Sequence, residues 1–183
     1  MYRSLSLAAF AAAALAASGA AAQTAEKMPV SDNLFAVTAA DGGMTEVLIS
    51  EIATKKATDP ELKKFSERMI AEHTKANNEL KAMAAQKGIA LPATVSAGHQ
   101  FTGQSLMGLS GEDFDCAYSK AQLLVHESSV AAFEAEAERG QDPEVKAWAA
   151  KTLPHIKEHT KTIKPIAMAY EKKKIEKEEK MQK

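Results

Sequence analysis

The chain begins two helices in the same way, with Asp59-Pro60-Glu61-Leu62-Lys63 and with Asp142-Pro143-Glu144-Val145-Lys146. In each stretch a capping aspartate precedes a proline at the first helical position, and an acid follows in the positively polarised first turn. This weak internal repeat predicts two similar helical hairpins.

Proline and glycine residues divide the rest of the chain into two helical pairs. The predicted helices cover residues 31–57, 60–87, 111–139 and 143–172, and no segment after residue 22 alternates with a period of two. In the long connection between the pairs, segment 94–108 either stays irregular or forms a short helix that covers the bundle. We therefore expect an all-α fold, a ferritin-like four-helix bundle with a long crossover between its second and third long helices.

The first 22 residues have the features of a secretory signal peptide. Arg3 precedes an apolar run at residues 5–17, and small residues follow up to Ala22. The run is too short and too rich in alanine for a membrane span, and no second hydrophobic segment follows it. We expect cleavage after Ala22 and a periplasmic or secreted mature protein without an integral membrane segment.

The remaining sequence divides into three parts. Residues 23–30 are expected to be a flexible N-terminus, and residues 31–172 the ferritin-like bundle. Residues 173–183 are a lysine- and glutamate-rich tail, which either extends the last helix into solvent or frays.

The charge pattern and the cysteine content argue against a nucleic-acid partner and an internal disulfide. The formal net charge is −1, or −2 without Arg3, and lysines and acids are interspersed along the helices rather than separated by sign. Nucleic acid is therefore not an expected partner. The single cysteine, Cys116, cannot form an internal disulfide, and we expect it to pack as a small hydrophobic residue; the alternative is an intermolecular disulfide. His99, in the connection, is expected to be exposed.

Four acid or imidazole side chains lie near the middles of the four predicted helices: Glu46, His73, His126 and His159. Because each lies within about a turn of its helix midpoint, the four could occupy one layer of the bundle. The three histidines each lie on an apolar stripe of helical spacing and are expected to point inward.

The pattern around Glu46 is ambiguous. One stripe, which includes Phe35 and Ile49, turns Glu46 inward, whereas a competing stripe of Met44 and Leu48 turns it outward.

Two interpretations of this layer remain open. Three imidazoles and one carboxylate form a candidate ligand set for zinc, copper, iron or manganese, with Met69 and His155 as candidate extra ligands. Met69 would favour copper, although a core methionine more often fills a gap. Alternatively, the four groups hydrogen-bond to one another and fix the helix register without a metal.

The sequence lacks the motifs of familiar enzymes. A di-iron oxidase needs a Glu-x-x-His pair on each of two helices, but Ile70 and Ile156 stand three residues before His73 and His159. There is also no serine elbow or phosphate-binding loop. We expect a non-enzymatic periplasmic binding or stress-associated protein. The alternative is a metal-dependent redox or copper- or iron-handling protein that uses the four central residues.

Several motifs also carry a resemblance to a known family. They are residues 40–47 (ADGGMTEV), residues 65–77 (FSERMIAEHTKAN), Leu109-Ser110-Gly111, Phe114-Asp115 with Tyr118, His126-Glu127, and Thr152-Leu153-Pro154 with Glu158-His159. In these motifs the chain resembles the DUF4142 family of secreted bacterial proteins, over nearly all of its mature length. The resemblance implies a ferritin-like fold and export, and it brings no established activity.

Overall fold

The structure is a computed structural model that describes residues 27–181. This part of the chain contains five α-helices and no strand, which confirms the predicted all-α class. They are α1 (Asp32–Lys56), α2 (Pro60–Lys87), α3 (Ala97–Met107), α4 (Gly111–Arg139) and α5 (Pro143–Met181). The predicted signal peptide, residues 1–22, lies outside the described residues.

The repeated helix-start pattern acts as predicted. A carboxylate oxygen of Asp59 accepts from the backbone N–H of Glu61 at 2.8 Å, and one of Asp142 accepts from that of Glu144 at 2.9 Å. Each aspartate thereby satisfies a backbone donor that has no partner within the helix. At the other end of α2, Gly88 adopts a left-handed conformation with φ of 67°, which glycine reaches without steric cost.

The structure differs from the predicted boundaries at the end of the chain. The last long helix continues to Met181, past the predicted end at residue 172, and residues 171–181 are exposed. Lysine and glutamate are good helix formers, and Lys172 and Glu176 form an ion pair of 3.8 Å one turn apart. The structure therefore has the extended helix rather than the frayed tail.

Residues 27–30 fall within the segment that is expected to be a flexible N-terminus. Lys27 forms an ion pair with Glu138, and the guanidinium of Arg139 donates to the backbone carbonyl of Met28 at 3.2 Å. These contacts attach the segment before α1 to the end of α4.

The four long helices pack side by side in an uneven way. Helix α1 lies along α2, α4 lies along α5, and α1 also packs against α4, whereas α2 and α5 make few contacts with each other. The short helix α3, which falls within the crossover segment, packs on the outside of α1 and α4. No helix in residues 27–181 is long and apolar enough to cross a membrane.

The core consists of two apolar clusters. Ile49, Leu62, Met69, Tyr118 and Ile163 belong to one cluster. The members of the other include Phe35, Leu80, Phe133, Trp148 and Ile156. On every long helix, the residues of one cluster precede those of the other, and a polar residue lies between them. The clusters therefore enclose a polar layer.

Candidate metal centre

The polar layer between the two clusters contains Glu46, His73, His126 and His159, one from each long helix. Glu46, His126 and His159 are buried, with at most 2% of each residue exposed. His73 is half-buried. The predicted inward direction of the three histidines agrees with these positions.

The three imidazoles converge on one point. One ring nitrogen from each histidine lies within 4.8 Å of the other two, and the ring centroids are 5.3–5.5 Å apart. Of the histidines, cysteines and acids in residues 27–181, these three form the group that could share an ion. The Nε2 atoms of His73 and His126 and the Nδ1 atom of His159 are buried without a hydrogen-bond partner.

The ring of His126 is oriented by contacts at its Nδ1 atom. Its Nδ1 lies 2.9 Å from the backbone carbonyl of Gln122 and 3.0 Å from a carboxylate oxygen of Glu46. Both neighbours are acceptors, so Nδ1 carries the proton and donates to the Gln122 carbonyl, the partner with hydrogen-bond geometry. Glu46 adds its negative charge beside the same atom. The Nε2 atom of His126 is then left with a free lone pair.

The ring of His159 is oriented by a carboxylate. Its Nε2 donates to Glu72 at 2.6 Å, and the guanidinium of Arg68 pairs with Glu72 at 2.7 Å and with Glu158 at 3.1 Å. This carboxylate–histidine arrangement is the one that commonly fixes the tautomer of a metal ligand. The Nδ1 atom of His159 is then left with its lone pair.

These tautomers limit what the layer can do by itself. While His126 is neutral, His126 and His159 both present acceptors at their free nitrogens, so they cannot hydrogen-bond to each other there. The Nε2 atom of His73 can donate to only one of these two nitrogens. At least one buried lone pair is therefore left without a hydrogen-bond donor. A cation would accept all three lone pairs, so the residues present fit a metal ion.

The electrostatics favour neutral ligands at two of the three positions. Burial lowers the pKa of His73 to about 4, and burial likewise lowers that of His159 to about 4. Burial opposes protonation of His126 too, but the adjacent Glu46 carboxylate outweighs it and raises the pKa of His126. Burial opposes ionisation of Glu72, yet Arg68 and His159 bring the pKa of its carboxyl below the ordinary value.

The remaining predicted ligands lie outside the three-nitrogen group. Glu46 points inward, which settles the ambiguity of α1, but it lies beside Nδ1 of His126 rather than within the group. Met69 is fully buried in the apolar cluster with Ile49. His155 is exposed one helical turn before His159.

Two residues outside the layer can be compared with their predictions. His99 is not simply exposed, because its Nδ1 lies 2.9 Å from the Asp41 carboxylate and the residue is half-buried. This contact joins α3 to α1. Cys116 is half-buried, and burial raises the pKa of its thiol, as expected for a cysteine that packs as a small side chain.

Sequence reasoning missed the residues that hold the histidines in place. Glu72 lies next to His73 in the chain but serves His159 on another helix, and Gln122 acts through its backbone carbonyl. The spacing of Arg68 and Glu72, four residues apart on α2, was an available signal, since such pairs support each other on a helix.

A cleft between α2 and α5 leads to the histidines. Its volume is about 320 Å³, and His73 and His159 form part of its wall together with Glu72, Glu79, Lys151 and His155. The cleft lies between two helices that make few contacts with each other, and it reaches the rings of His73 and His159.

The fold and the site define an all-helical protein with a cluster of three histidines between its long helices. The chain belongs to the DUF4142 family, a domain of unknown function, whose sequence profile matches residues 15–166. No match was found among curated proteins.

Two solved structures share the fold. The first is "CopM in the Cu(II)-bound form", with a TM-score of 0.66 and 19% identity, over 78% of this chain and 99% of that one. The second is a DUF305 fragment from Deinococcus radiodurans, with a TM-score of 0.67 and 12% identity, over 77% of this chain and 99% of that one. At these identities the likeness concerns the fold alone.

Proposed function

We propose that this protein is an exported ferritin-like four-helix bundle that binds one transition-metal ion through His73, His126 and His159. In this proposal it is a non-enzymatic metal-binding protein of the periplasm or the extracellular space. Two observations carry the proposal: one ring nitrogen of each histidine lies within 4.8 Å of the other two, and each ring has a buried nitrogen without a hydrogen-bond partner. Uncompensated buried acceptors are costly, and one cation would satisfy all three.

Copper is the first metal to test, and zinc is the second. Neutral imidazoles suit both ions, and copper(II) binds most tightly to a given nitrogen site among the common divalent metals. The similar fold of Cu(II)-bound CopM supports the same order. The alternative function is a redox role, which would require bound copper to cycle between its two oxidation states when a reductant and oxygen are supplied.

The arrangement of the helices supports the ferritin-like part of the proposal. Helices α1 and α2 form one hairpin, α4 and α5 form another, and the crossover between them carries α3. The central position of the histidines matches the way such bundles build metal sites from side chains on facing helices.

The second candidate is a polar layer without metal. A single water molecule could donate to His126 and His159 and accept from His73, which would satisfy the same three nitrogens. In that case the layer fixes the helix register, and the protein functions through another surface.

A metal titration separates the two candidates. Purified protein stripped of metal is titrated with copper(II) and, separately, with zinc(II), and bound metal is measured after gel filtration. We expect one tightly bound ion per chain, and loss of that ion when His73→Ala and His126→Ala are combined. The control combines His99→Ala and His155→Ala, which removes two histidines outside the centre. Background metal in the unaltered protein, or equal loss in both double variants, would refute the proposed site.

Export is tested separately. We expect the cellular protein to begin at Gln23 by mass spectrometry and to fractionate with the periplasm or the medium. A cytoplasmic protein that retains Arg3 would contradict this part of the proposal.

A further inference from the structure

The cleft between α2 and α5 carries one histidine that is not part of the centre. His155 lies on the cleft wall with His73 and His159. It is exposed, whereas the free nitrogens of the centre are fully buried. An ion from solution therefore meets His155 before it meets the centre.

His155 and His159 lie on the same side of α5. The two residues stand four apart on α5, about 6 Å along the helix axis, and both line the same cleft. Residues at this spacing lie on one face of a helix, so His155 stands about one helical turn from the ligand that α5 gives to the centre. The nearby acids are already engaged, because Glu72 pairs with Arg68 and Glu79 with Lys151.

We propose that His155 is a transfer ligand, which captures the ion at the mouth of the cleft and passes it to the buried centre. The inference rests on the proposed metal-binding function. It assigns His155 a kinetic role, in contrast to the three histidines that set the affinity.

The transfer is a ligand exchange without redox change. A bond forms between the imidazole of His155 and the hydrated ion, and one water ligand leaves. The bond to His155 then breaks as the ring nitrogens of the centre replace the remaining water ligands. His73 and His159 line the cleft and belong to the centre, so they are the ligands of the centre nearest to the solvent side. Release follows the same steps in reverse.

A transfer ligand changes both rates and leaves the equilibrium constant unaltered. The association rate is measured by stopped-flow mixing of metal-free protein with copper(II), from quenching of the single tryptophan, Trp148. The dissociation rate is measured after adding a chelator. For His155→Ala we expect both rates to fall together by about tenfold, the factor for ~1.4 kcal/mol of barrier, with stoichiometry and Kd unchanged.

Two further variants make the result specific. His155→Asp returns a metal ligand at the same position and should restore part of both rates. His99→Ala removes a histidine far from the cleft and should leave both rates as in the unaltered protein.

The possible outcomes are distinct. If His155→Ala leaves both rates unchanged, the inference is wrong while the proposed function stands. If it weakens binding through faster dissociation alone, His155 is a ligand of the resident ion and the inference is also wrong. If the unaltered protein binds neither copper nor zinc, the proposed function fails and the inference fails with it.

Discussion

The central histidines differ in the hydrogen-bond acceptors that contact their outer ring nitrogens. His126 donates to a backbone carbonyl with a carboxylate beside it, and His159 donates to Glu72. Each contact directs one proton away from the centre and one lone pair toward it. Chemistry at the residue scale is therefore set by the acceptors on the outer side of the rings.

The role of Glu72 leads to a prediction about affinity. In Glu72→Gln the side-chain oxygen can still accept from His159, but the negative charge that makes the imidazole a better donor to metal is lost. We expect the metal affinity to fall by about 10–100-fold, as measured by competition with a chelator of known affinity.

Glu79→Gln is the matched control for Glu72→Gln. It changes a glutamate of the same helix that lines the same cleft and pairs with Lys151 rather than with a histidine. An equal effect of the two substitutions would show that the general charge of the cleft, and not the contact with His159, controls binding.

The sequence predicted the positions of the three histidines better than the contacts that orient their rings. His73, His126 and His159 each lie on an apolar stripe at mid-helix, so direction and height followed from helical geometry alone. The contact between Glu72 and His159 depends on the separation and rotation of two helices that are distant in sequence. Periodicity within one helix carries no such information.

At the scale of the element, the surroundings of α1 explain why its inward face could not be predicted from the sequence. It is covered on several sides, by α2, by α4 and by the short helix α3. The competing stripe is half-buried because Leu48 lies against Gly103 of α3. A helix covered on several sides has no single apolar face. The glycine-containing sequence of the connection did not establish that α3 forms, so its cover of α1 could not be predicted.

Two neighbouring glycines in α1 give a prediction about helix packing. A Cβ at Gly42 would meet the Ser129 hydroxyl at an ordinary 3.5 Å, whereas one at Gly43 would come within 2.0 Å of the Asn77 side-chain oxygen on α2. We expect Gly42→Ala to raise the free energy of unfolding by about 1 kcal/mol, because alanine favours helix.

Gly43→Ala gains the same helix propensity but must displace Asn77. We expect its free energy of unfolding to lie about 1–2 kcal/mol below that of Gly42→Ala, as measured by urea denaturation. A Gly43→Ala protein at least as stable as Gly42→Ala would show that α1 and α2 are not in close contact there.

At the scale of the whole molecule, a buried acid sets a pH dependence of stability. Glu136, near the end of α4, is fully buried, and neither of its carboxylate oxygens has a hydrogen-bond partner that meets normal geometry. Burial raises the pKa of its carboxyl to about 7, and the nearby Asp32 adds to the effect. Between the ordinary value of 4.5 and about 7, the folded chain keeps a proton that the unfolded chain loses. The contribution of Glu136 to the free energy of unfolding is therefore fully present below pH 4.5 and is lost as the pH rises to about 7.

Glu136→Gln should remove this dependence. The gain in the free energy of unfolding over the unaltered protein should be small at pH 4.5 and should reach on the order of 2–3 kcal/mol at pH 8. This gain is measured by urea denaturation in the presence of a chelator. Both proteins contain the same histidines, so their contributions cancel when the two free energies of unfolding are subtracted.

Glu138→Gln serves as the control for Glu136→Gln. It removes an exposed carboxyl whose pKa is held low by Lys27, and it should bring no gain at high pH. A gain from Glu136→Gln that is the same at both pH values would contradict the role of Glu136.

The whole molecule is two apolar clusters with a polar layer between them. A ligand that binds only the folded chain stabilises it in proportion to the logarithm of its concentration over Kd. Because the layer takes one residue from each long helix, an ion bound there would join the two hairpins across the loosely packed pair α2 and α5.

The most direct test of the convergence of the three histidines is a crystal structure of the copper- or zinc-loaded protein, with the ion located by its anomalous scattering. We predict one peak per chain, about 2.0–2.1 Å from Nε2 of His73, Nε2 of His126 and Nδ1 of His159. A loaded protein with its peak elsewhere, or with these three nitrogens bound to a water molecule, would contradict the account.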